Sequence, residues 1–202
     1  MNYQELYIYP NPEIPRHKLR DTVFGQLHYA FVNTEKELAS DNAKPTAIRF
    51  GVSFPNYHSA LNDLDYTIRV FAPTVEDLKR LDLGGRLKSV KDYLRLGQIQ
   101  SVPEGASHVC FSRKRVKTNL ESTARRQVKR GNFPTYEIAL AELKKNPRAK
   151  QSTNLPFIWV ASKSTNQKDV PLFIQKTEVD APVSGTFNSY GLSQNGATVP
   201  MF

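Results

Sequence analysis

Apolar residues in the amino-terminal half of the chain recur at two different spacings. Residues 6–9 are typical of a strand, and between His17 and Val32 the apolar positions fall every fourth residue, as in a helix with one buried stripe. Residues 48–54 alternate between apolar and smaller or polar side chains, which predicts a half-buried strand, and residues 66–71 predict another. The chain therefore begins with the order β-α-β-β.

A second helix has a well-marked start. Thr74 and Asp77 stand in the positions of a capping box, and the helix is predicted to continue, past two glycines, to Leu94. A final strand near 99–102 would complete the order β-α-β-β-α-β. This order predicts an α+β fold whose first domain, residues 1–97, is a ferredoxin-like (RRM-like) sheet of the kind found in RNA-recognition domains. The sheet lacks a Lys/Arg-Gly-Phe-x-Phe signature, so we predict a scaffold there rather than an RNA-binding surface.

The remaining residues, 98–202, are predicted to form an α/β domain with an arginine-rich helix. Asn119 is a candidate cap for this helix, Gly131 would end it, and Pro134 would open a second helix. Turns rich in Ser, Asn and Gly separate the β-like segments of this domain. The strands predicted here are residues 109–111, 157–161, 172–175 and 187–190.

Positive charge is concentrated in this second half. The protein carries 28 Lys and Arg against 19 Asp and Glu, a net charge of +9. Residues 1–97 are nearly neutral, with 13 basic and 12 acidic side chains, whereas the rest of the chain holds 15 basic and 7 acidic ones. Eight of the basic residues lie between Arg113 and Arg130, where Glu121 is the one acid. A polyanion would dock on this stretch, and the pattern favours nucleic acid over an anionic membrane.

The composition also argues against a membrane span and a metal site. No apolar run approaches the roughly 18 residues that suggest a transmembrane helix, and the first residues lack the pattern of a signal peptide, so we expect a soluble cytoplasmic protein. A single cysteine, Cys110, supplies no paired thiolates, and the four histidines do not stand in ligand spacing. We therefore expect neither a metal nor a cofactor.

The arginine-rich helix presents a cationic face. Because successive helical residues turn by about 100°, Arg125, Arg126, Lys129 and Arg130 fall within an arc of roughly 140°. A solvated surface helix is the alternative, but such helices usually intersperse acids at i,i+4, and here Glu121 alone could pair with Arg125. We expect this face to bind phosphates, which gives affinity without selecting a sequence.

Base selectivity is expected from two arginines ahead of the helix. Arg113 and Arg115 would point to the same side of an extended chain, because the side-chain period of a strand is two. An arginine fork fits the O6 and N7 edge of guanine, although the deep A-form groove admits protein only near an accessible end or in a hairpin. Ordinary charge on a strand surface is an equally good explanation of this pair by itself.

Four short groups of residues, spread in order along nearly the whole chain, carry a resemblance to a known family. They are Gly51-Val52-Ser53-Phe54-Pro55; Ser112-Arg113 leading into Lys117-Thr118-Asn119; Ser162-Lys163-Ser164-Thr165 ahead of Leu172-Phe173-Ile174; and Tyr190-Gly191-Leu192-Ser193 with Gly196, Val199-Pro200 and Phe202. Together with the arginine-rich helix, these strings resemble the type I-F CRISPR repeat-RNA endoribonucleases. Their order and spacing make coincidence improbable.

This resemblance implies a function. The family has an amino-terminal ferredoxin-like domain and a carboxyl-terminal half that clasps a repeat hairpin, with the arginine-rich helix in the major groove. It cuts the CRISPR precursor RNA at the 3′ base of the hairpin without a metal. The ribose 2′-oxygen is the nucleophile, and the products carry a 2′,3′-cyclic phosphate and a 5′-hydroxyl. The enzyme then stays on the mature crRNA as part of the type I-F surveillance complex.

By position, the resemblance assigns the family's site residues to this chain. The helix histidine corresponds to His28, the serine beside the ribose to Ser162, and the tyrosine near the imidazole to Tyr190. Ser164 and Thr165 would flank the same site. An imidazole, with a reference pKa near 6.5, can act as a base without metal and typically contributes about 10²–10⁴-fold. Taken singly, each of these residues would be given a structural role, so only their combination indicates catalysis.

The expected RNA contacts combine the charge pattern with the resemblance. They are Arg113, Arg115, Lys117, Arg125, Arg126, Lys129, Arg130, Ser164 and Thr165. The chain departs from the family in two places. It has Arg115 where the family commonly has an amide side chain, and it has Asp169-Val170-Pro171 where the family has an aromatic residue that stacks under the terminal base pair. These departures leave open which base Arg115 reads and how the stem's end is held. A non-catalytic hairpin-binding subunit is the main alternative function, and a basic ribosome- or DNA-associated protein is a third.

Overall fold

The structure is a computed structural model. It describes residues 1–39, 45, 47–58, 60–61, 63–116, 120–146, 153–162 and 167–202, and for residues 162 and 167–169 it describes the backbone. This part of the chain divides into two compact units, Met1–Lys114 together with Leu155–Phe202, and Arg115–Asn154. The domain boundary at residue 97 stays a prediction. Among the described residues, no helix is long and apolar enough to cross a membrane.

The first unit contains a sheet built mostly from the amino-terminal strands. Its strands are β1 (Asn2–Ile8), β2 (Gly51–Ser53), β3 (Thr67–Ala72), β4 (Leu94–Leu96) and β5 (Gln100–Ser101). The main order is β2-β3-β1-β4 with antiparallel pairs, and β5 also pairs with β1. The strands predicted at 6–9 and 66–71 are confirmed, whereas β2 is shorter than the predicted segment.

Helix α1 (Arg16–Leu38) supplies the long buried stripe of this unit. The predicted apolar positions Leu19, Val23, Leu27 and Phe31 are all buried, and the helix extends past Val32. These side chains exclude water from the helix–sheet contact, which is the main favourable term in such packing. The stripe therefore fixes which residues of α1 remain at its half-buried edges.

The segment between β3 and β4 confirms the predicted cap and corrects the predicted helix end. Helix α2 (Val75–Leu81) begins with a capping box, in which Thr74 Oγ1 accepts the N–H of Asp77 at 3.1 Å. Short helix α3 (Leu83–Arg86) and a 3₁₀ helix (Lys88–Tyr93) follow. Leu94 was predicted to lie on the helical stripe, but it starts β4 because its backbone pairs with Ile8 of β1.

A second sheet of the same unit is formed by carboxyl-terminal strands. They are β6 (Ser107–Lys114), β7 (Phe157–Ser162), β8 (Gln167–Val179) and β9 (Val199–Met201), in the order β7-β8-β6-β9 with antiparallel pairs. The predicted strand at 187–190 is wrong. Within this segment only Phe187 makes isolated bridges, to Ile48 and to Ser193, and the residues after it form a turn. The mixed helices and antiparallel sheets confirm the α+β class.

Both sheets and α1 share one hydrophobic core. Aromatic rings link them: Phe24 of α1 lies 6.0 Å from Phe54, and Phe54 meets Phe111 of β6 edge-on at 5.4 Å between centroids. Edge-on contacts of this kind stabilise a core beyond the area they bury. The core therefore holds α1 and the carboxyl-terminal turn at 187–194 in a fixed relation.

The second unit contains the two predicted helices, α4 (Leu120–Lys129) and α5 (Tyr136–Lys145). Gly131 has φ +76° and ends α4, as predicted. Helix α5 is capped by Thr135, whose hydroxyl accepts the N–H of Ile138 at 3.4 Å, directly after Pro134. Asn119, the predicted cap of α4, lies outside the described residues.

Candidate active site and RNA-binding residues

His28 lies on the half-buried edge of α1, next to the buried Leu27. Its ring stacks on the ring of Tyr190 at 4.4 Å between centroids and 20° between planes, and lies 5.3 Å from the ring of Tyr29. The ring of Phe24 also stacks on the ring of Tyr190, with 6.1 Å between centroids and nearly parallel planes. The structure therefore brings together two of the three predicted catalytic residues, His28 and Tyr190.

A backbone carbonyl fixes the tautomer of His28. The ring Nδ1 lies 2.6 Å from the carbonyl oxygen of Ser189. Because a carbonyl oxygen can only accept a hydrogen bond, this contact assigns the proton to Nδ1. In the neutral imidazole the lone pair then belongs to Nε2, which is the nitrogen able to take a proton from a substrate.

The Ser189 carbonyl is held in a compact turn organised by Asn188. The Asn188 Oδ1 accepts the N–H groups of Tyr190 at 2.8 Å and Leu192 at 3.3 Å. The backbone N–H of Asn188 donates to Leu192 at 2.8 Å, and its carbonyl accepts the N–H of Gly191 at 2.8 Å. One short side chain thus fixes both groups that contact His28, the Ser189 carbonyl and the Tyr190 ring.

Gly191 lets this turn approach the core closely. Its φ is +74°, and a Cβ atom at this position would lie 2.7 Å from Val52 Cγ1 and 3.1 Å from Phe31 Cε2. The carbonyl of Gly191 accepts the N–H of Val52 at 2.9 Å. No other residue type combines this backbone conformation with this lack of volume. The turn is therefore anchored to β2 at the residue that follows Tyr190.

The hydroxyl of Tyr190 is a hydrogen-bond donor at neutral pH. Burial raises the pKa of Tyr190 above its ordinary value of 10.0; the positive charge of Arg113 works against this rise, while Tyr29 adds to it. The phenol accordingly keeps its proton at neutral pH. Arg113 is exposed near the end of β6, opposite Ile174 of β8, and its charge acts on Tyr190.

A comparison with known proteins assigns the family. The family model described as "CRISPR-associated protein (Cas_Csy4)" matches residues 3–202. The chain belongs to the Csy4 family of CRISPR-associated proteins. The resemblance found in the sequence is thereby confirmed.

Curated relatives of this Csy4-family chain match it from end to end. It is 29% identical over 204 residues to the "CRISPR-associated endonuclease Cas6/Csy4" of Pseudomonas aeruginosa (strain UCBPP-PA14), which covers 100% of this chain and 99% of the relative. It is 31% identical over 202 residues to the protein of the same name from Escherichia coli (strain UTI89 / UPEC), again covering 100% of this chain and 99% of the relative.

The cationic face of α4 is exposed, as the helical spacing predicts. Arg125, Arg126, Lys129 and Arg130 are all exposed, whereas Thr123 and Ala124 are buried within the second unit. Arg125 lies 3.9 Å from Glu121, and both side chains are largely exposed, so this ion pair contributes little stability. These four basic side chains are exposed to a binding partner, and their role in binding RNA stays a prediction.

The structure describes the remaining predicted site residues only in part. Arg115 is exposed and follows the end of β6, so strand alternation no longer fixes its direction relative to Arg113. The backbone of Ser162 ends β7 and pairs with Gln167. Lys117, Ser164 and Thr165 lie outside the described residues, so their predicted roles stay predictions.

Sequence reasoning missed the residues that support the site. The sequence predicts a strand across Asn188 and Ser189, and it assigns no role to Phe24. The Asn-x-x-Gly spacing of Asn188 and Gly191 was the available signal, since both residue types favour turns. Among the described residues, no group of three or more His, Cys, Asp or Glu could hold a metal ion.

Proposed function

We propose that this Csy4-family chain is a metal-independent endoribonuclease that cuts CRISPR precursor RNA at the 3′ base of the repeat hairpin. The observation that carries the proposal is the contact of His28 Nδ1 with the Ser189 carbonyl at 2.6 Å, with the ring of Tyr190 stacked at 4.4 Å. A histidine whose tautomer and ring plane are both fixed suits general base catalysis. Family membership and the names of the curated relatives support the same activity.

The reaction is an internal transesterification. Nε2 of His28 takes the proton of the ribose 2′-hydroxyl, and the 2′-oxygen attacks the adjacent phosphorus. The bond from phosphorus to the 5′-oxygen breaks, that oxygen takes a proton from a solvent water to become a 5′-hydroxyl, and the His28 imidazolium returns its proton to the solvent. The other product ends in a 2′,3′-cyclic phosphate. In this scheme Ser162 contacts the ribose. Tyr190 holds the plane of the imidazole, and its hydroxyl can donate a hydrogen bond to a phosphate oxygen.

The hairpin is held by the cationic residues. In this proposal the exposed α4 face, with Arg125, Arg126, Lys129 and Arg130, lies against the stem phosphates, and Lys117, Ser164 and Thr165 add contacts near the cut. Arg113 and Arg115 read bases at the foot of the stem. The amino-terminal half is a ferredoxin-like scaffold, and residues 98–202 form the hairpin-binding part. The chain stays on the mature crRNA within a cytoplasmic type I-F ribonucleoprotein complex.

The test is cleavage of a repeat hairpin in excess EDTA. The parent protein should cut, and His28→Ala should cut about 10²–10⁴-fold more slowly. His58→Ala is the matched control, because His58 lies in the same unit and its backbone pairs with Asp63, not with the turn that holds Tyr190. Equal cutting by the parent and His28→Ala would overturn the base assignment, and binding without cutting by all three proteins would indicate a non-catalytic subunit.

A further inference from the structure

A cleft of about 850 Å³ runs along α1 beside β7, within the first unit. Its lining includes Gly25, Gln26 and Tyr29 of α1 and Trp159 to Ala161 of β7. This volume lies within the range of about 300–1,000 Å³ that small-molecule sites occupy. Neither His28 nor Tyr190 lines this cleft, so the proposed catalytic role of these two residues does not explain it.

One end of the cleft adjoins the candidate active site. Tyr29 follows His28 in α1 and its ring lies 5.3 Å from the imidazole. Ala161 precedes Ser162, the predicted ribose contact, in β7. A chain that crosses the His28 site can therefore continue directly into the cleft.

Gly25 is an unusual residue for the middle of a 23-residue helix. A glycine in a helix interior costs roughly 0.5–1 kcal/mol relative to alanine. A Cβ atom at Gly25 would meet nothing within 4 Å, so packing inside the protein does not require the glycine. The open space is the cleft itself. A ligand that approaches the helix backbone at this point would explain why a side chain is missing.

Trp159 offers a stacking surface on the opposite wall. It is 41% exposed, while its neighbours in the strand, Ile158 and Val160, are buried. Phe157 meets it edge-on at 5.1 Å between ring centroids, which holds the indole in place. Exposed aromatic rings are the usual platform for unpaired bases, because every base has a face that can stack.

The charges of the cleft suit a polynucleotide. His17 and Lys18, at the far end, are exposed. The acid in the lining, Asp21, is turned inward, with 11% of its side chain exposed and its Oδ1 3.8 Å from Arg20 Nε. Burial raises the pKa of Asp21, although Arg20, the backbone N–H of Trp159 and His17 oppose the rise. Asp21 therefore presents little charge to the cleft, and the Lys18 ammonium is exposed to a bound phosphate.

We propose that this cleft binds the unpaired RNA strand downstream of the cut, with a base stacked on Trp159 beside Gly25. The inference rests on the proposed function, because cutting at the foot of a hairpin leaves single-stranded RNA on the 3′ side. The stem itself is assigned to the cationic helix, so the leaving strand is the segment that needs another path. The structure offers that path at the edge of the His28 site.

The test uses the single tryptophan of the chain as a probe. Hairpins with a 2′-deoxyribose at the cut site are bound but not cut, and they are made with one or with six nucleotides beyond the cut. The longer RNA should quench Trp159 fluorescence and bind about five- to tenfold more tightly, as expected for roughly 1 kcal/mol or more of stacking per base. A hairpin extended by the same length on its 5′ side should do neither.

Two variants test the cleft walls. Trp159→Ala removes the platform, and Gly25→Leu fills the space while favouring the helix, so its effect does not come from unfolding. Both should bring the affinity ratio of long to short RNA to about one. Asn33→Leu, an exposed position of the same helix outside the cleft lining, should keep the parent ratio.

The outcomes separate the cleft from the catalytic proposal. An unchanged ratio in both cleft variants, absent quenching, or equal quenching by the 5′-extended hairpin would overturn the subsite. Cutting is measured separately, on the short hairpin with an unmodified ribose. Failure of the parent to cut it would overturn the nuclease proposal, whereas quenching by the 3′-extended RNA would still support the cleft as an RNA site.

Discussion

Replacement of Gly191 by alanine tests how closely the turn that carries Tyr190 packs against the core. At φ +74° an L-residue is strained by about 1–2 kcal/mol. The added Cβ would also lie 2.7 Å from Val52 Cγ1 and 3.1 Å from Phe31 Cε2, and overpacking of this kind typically costs about 1–3 kcal/mol. We therefore expect Gly191→Ala to lower the free energy of unfolding by about 2–5 kcal/mol, a large share of a total that is usually about 5–15 kcal/mol.

The matched control separates the two causes. Gly105 has the same φ of +74°, but a Cβ there would meet nothing within 4 Å. Gly105→Ala should therefore cost only the backbone strain. Urea unfolding of both variants measures the difference, provided that the slope with denaturant is unchanged. Equal losses in the two variants would refute the close approach of Gly191 to the core.

Three further predictions address the site, the fold and RNA binding. Asn188→Ala should lower the rate constant for cutting about 10–100-fold and leave the affinity for the product hairpin unchanged, because a small displacement of the His28 ring is costly for the reaction. Asn188→Asp keeps the oxygen that accepts the N–H groups of Tyr190 and Leu192 and should restore the rate constant; an aspartate variant as slow as the alanine variant would contradict this. Asp77→Asn should destabilise the protein by about 1 kcal/mol at pH 7. Burial acts to raise the pKa of Asp77, but hydrogen bonds from Thr74 and from Arg49, whose Nη1 lies 3.0 Å from Asp77 Oδ1, outweigh it and leave the pKa below its ordinary 3.8. The stability that these bonds contribute is therefore present above pH 3.8 and is lost as the pH falls through the lower folded-state value. A difference between the parent and Asp77→Asn that persists in strong acid, measured by urea unfolding, would count against the Arg49–Asp77 ion pair. Arg125→Ala with Arg126→Ala should reduce the salt dependence of hairpin binding by about 1.4–1.8 units of log–log slope, and Lys144→Ala should leave it unchanged; an unaltered slope in the double variant would argue against phosphate docking.

Local patterns of the sequence predict the elements that local forces determine. The four-residue spacing of Leu19, Val23, Leu27 and Phe31 predicts α1 and its buried face, and the capping box at Thr74 predicts where α2 begins. The same spacing places His28 at the edge of the buried stripe. These features depend on neighbours within a turn or two of the chain, so a single sequence contains the information they need.

Features that depend on distant partners were not predictable in the same way. Leu94 continues an apolar helical spacing, but pairing with β1 makes it a strand. The 187–190 segment has an aromatic residue at each end and is predicted as a strand, but Asn188 and Gly191 close it into a turn. The contact of His28 with Ser189 joins residues 161 positions apart, and periodicity contains no information about it. Only the resemblance to a family connected the two regions before the structure did.

The choice of a backbone carbonyl as the partner of His28 has a chemical consequence. A carboxylate in that place would orient the ring and also stabilise its protonated form. The Ser189 carbonyl orients the ring and fixes the tautomer without bringing a full negative charge. A base must start the reaction neutral, so a partner that holds the ring without stabilising its protonated form suits the proposed role of His28 as general base. Because the partner is backbone, no side-chain substitution at position 189 removes it, and Asn188, which shapes the turn, is the residue through which it can be disturbed.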